Sequence, residues 1–324
     1  MLFGQRLFKY DTRSLGHLLS HASNQRVQRD GLLPRDTSNN GNEDFMELAS
    51  IFESSKQLPN IPKVVQELIE SFRDEDSIDV DDIADKISKD QVLTAKILRV
   101  ANSARYSTNR DINTVNDAVV LLGMSMLRTL VLASGISGAV TVPQGFDRKE
   151  FWRDSFCVAE IARWIARYTD DVNPETAFTT GMLYSIGIVL MHTVYPQEYV
   201  GVDAMVNEGG KCRREAEQQV FGYTYADVGS ELAKRWRFPD EMADAIAHHN
   251  DPLAVDPASP LAGVINIAIY LRKAHQSKMS EEDIIANFPQ AIADASGMNH
   301  QKALADVQET STVEEGLESL LEGL

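Results

Sequence analysis

Residues 91–104, QVLTAKILRVANSA, decide the fold class. Their apolar members Leu93, Ile97, Val100, Ala101 and Ala104 recur at the interval that lines one face of an α-helix. The same spacing continues outward on both sides. Upstream, Ile61, Val64, Val65, Leu68, Ile69 and Phe72 form a second stripe, with Pro62 in a first turn where its missing N–H costs nothing. Downstream, Thr114 can cap a helix carrying Val115, Ala118, Val119 and Leu122, and Gly123 suits its end. Ser125 can cap another that carries Leu127, Leu130, Val131 and Ser134. Helical patterns follow from about Asp147 to Tyr168, over 175–194 as an apolar helix, near 212–221, 224–236 and 239–249, and from Pro260 to Ala274. No run alternates with β-branched enrichment, and no repeat of fixed period exists. The expected fold is all-α: a single large multi-helix domain with short N- and C-terminal extensions.

Composition narrows the function. The 324 residues hold 31 Lys+Arg against 48 Asp+Glu, a formal charge of −17. A field of that sign opposes binding to nucleic acid or anionic membranes. The stretch Thr176 to Gln197 lacks Asp, Glu, Lys and Arg and reaches the ~20 residues of a spanning helix. Its polar members, Thr179, Thr180, Tyr184, Ser185, His192 and Thr193, suit a buried core helix better. The first residues, MLFGQRLFKYDTRS, lack the apolar region of a secretory signal. Two cysteines, Cys157 and Cys212, make neither a disulfide framework nor a four-thiolate zinc site, so a cytoplasmic location is expected.

The ends carry opposite charge. Residues 1–45 read as a basic arm and linker, and the segment 276–324 as a helical extension with an acidic tail, whose Val313, Leu317, Leu320, Leu321 and Leu324 keep helical spacing. His17 and His21 stand at i, i+4, but no third ligand is near them, so a metal there is not expected. Cys157 lies in a stripe with Phe151, Ala159 and Ala162 and reads as an inert buried thiol. Trp152, Trp164 and Trp236 read as core anchors. Phosphate-binding glycine loops, an H-E-x-x-H helix and a G-x-S-x-G elbow are absent from the sequence.

Three stretches are informative together: LPNIPKVVQELIE (58–70) leading to ISKDQVLTAKILRVANSARY (87–106) and AVVLLGMSMLR (118–128); FWRDSFCVAEIARWIA (151–166) leading to ETAFTTGMLYSIGIVLM (175–191); and EAEQQVFGYTYADVGSELAKRWRFPDEMADAIAHHN (215–250). In this order they closely resemble the HDOD family, the HD-related output domain of bacterial signalling proteins. The resemblance covers about Gln57 to Arg272 and places the domain at about 50–275. It implies an all-helical relative of the HD phosphohydrolases, usually without demonstrated catalysis.

HD enzymes hold a divalent metal with His and Asp, including an adjacent His-Asp pair, to deprotonate water for attack on a phosphate ester. No His-Asp dipeptide occurs in this sequence. Where the superfamily helix reads G-L-L-H-D-I-G, this chain has Gly181-Met182-Leu183-Tyr184-Ser185-Ile186-Gly187. The first histidine of the pattern corresponds to Asp154, a third to Tyr225, and only His248-His249, followed by Asn250, matches the terminal pair. Tyr and Ser are not ready anionic ligands at neutral pH, and adjacent helical residues point about 100° apart, so His248 and His249 do not share an ion.

The resemblance therefore implies a non-catalytic bacterial regulatory module with no cofactor, acting through a signalling protein, with a nucleotide or other small ligand as a second option. The rival is a residual metal-dependent phosphohydrolase or cyclic-dinucleotide phosphodiesterase. Asp154, Tyr184, Ser185, Tyr225, His248 and His249 mark the vestigial site, open or filled. Arg99, Asn102, Ser103, Tyr106 and Arg128 mark a family segment read first as structural, with Asn102 and Ser103 satisfying helix-end carbonyls and Tyr106 covering the junction. The alternative for Arg99, Asn102, Ser103 and Arg128 is a small anionic or nucleotide pocket.

Overall fold

The computed structural model describes residues 48–54, 63, 65–67, 80–103, 106, 111–139, 146–207 and 210–313. The basic arm with His17 and His21, most of the stripe from Ile61 to Phe72, Ala104, the side chains of Ser125 and Arg128, and the tail beyond Val313 lie outside them. Among the described residues every regular element is helical, as the apolar spacing requires.

Among the described residues four helices come first: α1 (Leu48–Ser54), α2 (Val80–Ser88), α3 (Gln91–Ala101) and α4 (Val115–Ala139). Asp90 caps α3 by accepting from the backbone N–H groups of Val92 and Leu93, and Leu93, Ile97, Val100 and Ala101 face the core. α4 is helical on both sides of Gly123, which sits at φ 80°, ψ 159° and marks the break its sequence position implies.

The larger group follows. α5 (Arg148–Ala166) and α6 (Pro174–Leu183) pack closely; a Cβ at Gly181 would lie 2.7 Å from the Ala159 Cα. α7 (Ile186–Val194), α8 (Pro196–Asn207), α9 (Arg213–Phe221), α10 (Tyr225–Arg235), α11 (Asp240–His248) and α12 (Pro260–Gln276) complete the body. α12 packs on α5, and α10 on both α7 and α11. α13 (Glu281–Ala286), α14 (Gln290–Ala295) and α15 (His300–Ala305) cover α12 and the end of α5: the Tyr270 hydroxyl donates to the Ile284 carbonyl at 2.8 Å, and the Asn299 N–H to the Tyr168 carbonyl at 2.7 Å. Beyond them, Glu309 accepts from the Trp164 indole and Asp306 from the Tyr168 hydroxyl, each at 2.9 Å.

The apolar stretch 175–194 differs from the continuous helix its pattern suggests. It breaks at Tyr184–Ser185, where Ser185 adopts φ −108°, ψ 8°. Spacing cannot reveal such a break, because apolar residues flank it on both sides; the tertiary position of Tyr184 decides it. The window that reaches spanning length by composition is 89% buried, as its core reading requires. Cys157 and Trp152 and Trp164 are buried, and Trp236 packs against the core with part of its surface exposed.

Candidate functional site

The break between α6 and α7 turns Tyr184 toward α5. Its hydroxyl donates to Asp154 Oδ2 at 2.7 Å. Asp154 Oδ1 accepts from Arg272 Nε at 3.2 Å and from Gln276 Nε2 at 3.3 Å, both on α12. Asp154 and Arg272 are 2% and 4% exposed, so this ion pair is essentially withdrawn from water. A buried carboxylate needs charge compensation, and here a guanidinium supplies it.

The second half of the site lies beside the first. His249, fully buried, has Nδ1 2.7 Å from the Ile246 carbonyl, so Nδ1 carries the proton and Nε2 accepts. The Tyr225 hydroxyl sits 2.9 Å from that Nε2 and 3.2 Å from Asn250 Oδ1. One phenolic proton cannot serve both acceptors fully. Exchanging the Asn250 amide atoms would let its nitrogen, otherwise without a partner, donate to the phenol oxygen instead. Burial pushes the His249 pKa down to about 4, with Lys273 and His248 adding repulsion, so the imidazole is neutral at neutral pH. The Tyr184 and His249 rings meet edge to face at 5.5 Å, closing the space between the two halves. Lys273, next to Arg272, is held below the usual lysine range by burial, partly countered by Asp154.

Of the six residues expected at this site, Asp154, Tyr184, Tyr225 and His249 meet around one packed centre; Ser185 is buried at the break between α6 and α7, and the His248 Nδ1 donates to the Asp244 carbonyl at 2.8 Å. The two tyrosines fill the site. A divalent ion does not fit this donor set: both Asp154 oxygens are engaged, a guanidinium occupies the position of charge balance, and Tyr225 blocks His249 Nε2. Among the described residues no three His, Cys, Asp or Glu side chains converge on one point.

Tyr225 also ties the centre to a second buried group. Its backbone N–H donates to Glu217 Oε2 at 2.8 Å, and the Tyr199 hydroxyl donates to Glu217 Oε1. Burial raises the Glu217 pKa to about 7, against the lowering effects of Arg213, the Tyr199 hydroxyl and the Tyr225 N–H. Arg213, one turn earlier on α9, instead donates to Asp203 at 3.1 Å. Gly187 of α7 lies against the start of α10: a Cβ there would collide with the Tyr225 carbonyl oxygen and approach the Gly229 nitrogen at 2.8 Å. Only glycine lets Tyr225 sit this deep.

Arg272 and Glu217 do not emerge from motif reading. Each does leave a trace in the periodicity: Arg272 falls on the buried stripe of α12 with Ala268 and Leu271, and Glu217 sits one turn before buried Phe221.

The family segment lies elsewhere. Asn102 ends α3, its Nδ2 donating to the Leu98 and Ile112 carbonyls at 2.9 and 2.7 Å while its Oδ1 accepts from the Ile112 N–H at 2.8 Å. It pins the returning chain, as its structural reading requires. Tyr106 packs on the core and Arg99 is exposed; Ser103 Oγ is buried with no hydrogen-bond partner among the described residues, so it does not satisfy a helix-end carbonyl as its sequence position suggests.

Comparison with known proteins follows the same lines. The family model described as HDOD domain matches residues 58–252. A crystal structure from Shewanella amazonensis SB2B, of a protein provisionally named a phosphohydrolase, is 32% identical, with 85% of this chain and 98% of that chain covered at a TM-score of 0.70. An HDOD domain protein of unknown function from Geobacter sulfurreducens is 27% identical, with 83% and 96% covered at a TM-score of 0.67. A curated relative from Treponema pallidum (strain Nichols), called an uncharacterized protein, is 26% identical over 222 residues, which is 68% of this chain but only 43% of the length of that relative.

Proposed function

The chain belongs to the HDOD family, and from that premise we propose that it is a non-catalytic bacterial regulatory module that works by binding another signalling protein. The observation that carries this reading is the Asp154–Arg272 ion pair, closed over by Tyr184. A side-chain cation, fixed by covalent connection to α12, holds the charge that a metal would hold in a phosphohydrolase. Water activation at a metal requires an open coordination position, and this packed centre offers neither the ligands nor the space. A rigid helical body then communicates through its surface.

Metal analysis of the purified protein, with turnover of cyclic dinucleotides and a generic phosphodiester under added Mn²⁺ or Mg²⁺, tests the proposal. Substoichiometric metal and turnover no faster than buffer are expected. Stoichiometric metal with turnover lost in Asp154→Asn would establish the rival, a residual phosphohydrolase, which the name of the Shewanella protein favours. For the protein partner, pull-downs should compare the full chain with forms lacking residues 1–45 or 314–324. The second cut falls after Val313 because Asp306 and Glu309 hold the end of α5.

A further inference from the structure

Glu217 belongs to a buried polar group between α7, α8 and α9. From α8, the Tyr199 hydroxyl donates to Glu217 Oε1, and Asp203 follows one turn along. From α9 itself comes Arg213, one turn before Glu217, whose Nη2 donates to Asp203 Oδ1 at 3.1 Å. From α7, the His192 ring lies against that of Tyr199, centroids 3.9 Å apart, with its Nε2 3.8 Å from Asp203 Oδ2. The turn into α10 supplies Tyr223, stacked on Phe221, and then the Tyr225 N–H on Glu217 Oε2. Burial lowers the His192 pKa to about 3, so this imidazole stays neutral and adds no cation. Among the described residues of this group, two acids share one guanidinium.

Which acid holds it is informative. Glu217 is fully buried, whereas the Asp203 side chain is 24% exposed and within reach of water. An ionised carboxylate cut off from water gains more from a contacting cation than one that water hydrates. Yet the ion pair of Arg213 is with the more exposed acid. That arrangement follows when the buried acid carries a proton, and burial does raise the Glu217 pKa to about 7.

We propose that this group is a proton-operated switch in which Asp203 and Glu217 compete for Arg213. In the observed state Glu217 is protonated, and Arg213 ties the start of α9 to α8 through Asp203. When Glu217 releases its proton to solvent, Arg213 turns along its own helix to form an i, i+4 pair with it, and Asp203 is left to water. An ion pair between two helices is thereby exchanged for one within α9. The neighbouring contacts carry the change outward: Tyr195 and Tyr199 both pack on Phe221, and the Tyr195 hydroxyl lies 3.1 Å from Ser50 Oγ of α1. The shape of the surface formed by α1 and α8 then follows pH around neutrality. This switch goes beyond the proposed function and does not depend on it, since metal content and turnover decide the latter.

Nuclear magnetic resonance of the full chain across pH 5.5–8.5, following the Glu217 carboxyl carbon and the Arg213 guanidinium nitrogens, tests the switch. Both signals should move together with one midpoint near 7, while the Asp203 carboxyl stays ionised. In Glu217→Gln, which mimics the protonated acid, the Arg213 signal should stay at its low-pH position throughout. In Asp203→Asn, at a position water already reaches, the two signals should still move together, with their midpoint at least one unit lower, a tenfold loss of proton affinity. An Arg213 signal that is flat in the wild type, a step that survives in Glu217→Gln, or separate midpoints for the two signals in either the wild type or Asp203→Asn would overturn the proposal.

Discussion

Asp154 and Glu217 are both buried carboxylates on helices of the same body, yet their surroundings treat charge in opposite ways. Asp154 meets a guanidinium directly, with a phenol and an amide completing its hydrogen bonds. Glu217 accepts from a phenol and a backbone N–H, while Arg213 acts on it as a nearby charge and itself donates to Asp203. Burial alone does not set the behaviour of an acid; the presence of a contacting counter-charge does. One centre is a locked ion pair. The other is a carboxylate poised to take a proton near neutrality.

The largest expected effect breaks the locked pair. Arg272→Ala leaves Asp154 buried without its cation and should cost about 3–5 kcal/mol in chemical denaturation. The double replacement Asp154→Leu/Arg272→Met should cost less than this single change, because it removes the stranded charge as well. A loss in the double that equals the sum of the singles would show that the two residues do not act as a pair.

Glu217→Gln sharpens the other side. The folded-state pKa of Glu217, about 7, lies above its ordinary 4.5, so the folded protein binds the proton more tightly than the unfolded chain. Its contribution is complete below about pH 4.5 and is lost as pH rises through 7, by roughly 3 kcal/mol at 1.36 kcal/mol per unit. The variant should therefore be more stable than wild type by that order at pH 8 and near parity at pH 5. His249, lowered to about 4, acts in the reverse sense as pH falls below 6.5. The difference between variant and wild type, measured by melts across pH 5–8, isolates the carboxylate.

Tyr225 links the two centres, through its N–H to Glu217 and its hydroxyl toward His249. Gly187→Ala, which forces the start of α10 away from α7, should cost about 1–3 kcal/mol or more and perturb both centres together. Chemical shifts of His249 and the titration of Glu217 should move in the same variant. Tyr225→Phe should cost only about 1–2 kcal/mol, since it leaves the His249 Nε2 acceptor unmet but keeps the backbone contact to Glu217. A Glu217 titration that shifts in this variant would contradict that separation.

Much of this was legible beforehand. The stripe at Leu93–Val100, the helix starts near Asp147 and Thr224, and the helices ending near Phe221 and His248 follow from apolar spacing, which is a local property of the chain. That Asp154, Tyr184, Ser185 and Tyr225 stand where the HD pattern has His and Asp is likewise a matter of residue identity. The break at Tyr184–Ser185 was not legible, because periodicity marks a buried face without marking where a buried helix stops.

Sequence alone established an all-helical chain that resembles the HDOD family, with Asp154, Tyr184, Ser185 and Tyr225 where the HD pattern has His and Asp. Tertiary structure alone decided what surrounds Asp154. Asp154 and Arg272 lie 118 positions apart, and Glu217 reaches Tyr225 only across the turn between two helices. Charge compensation in a buried site is a property of distance in space, which no local pattern along the chain encodes.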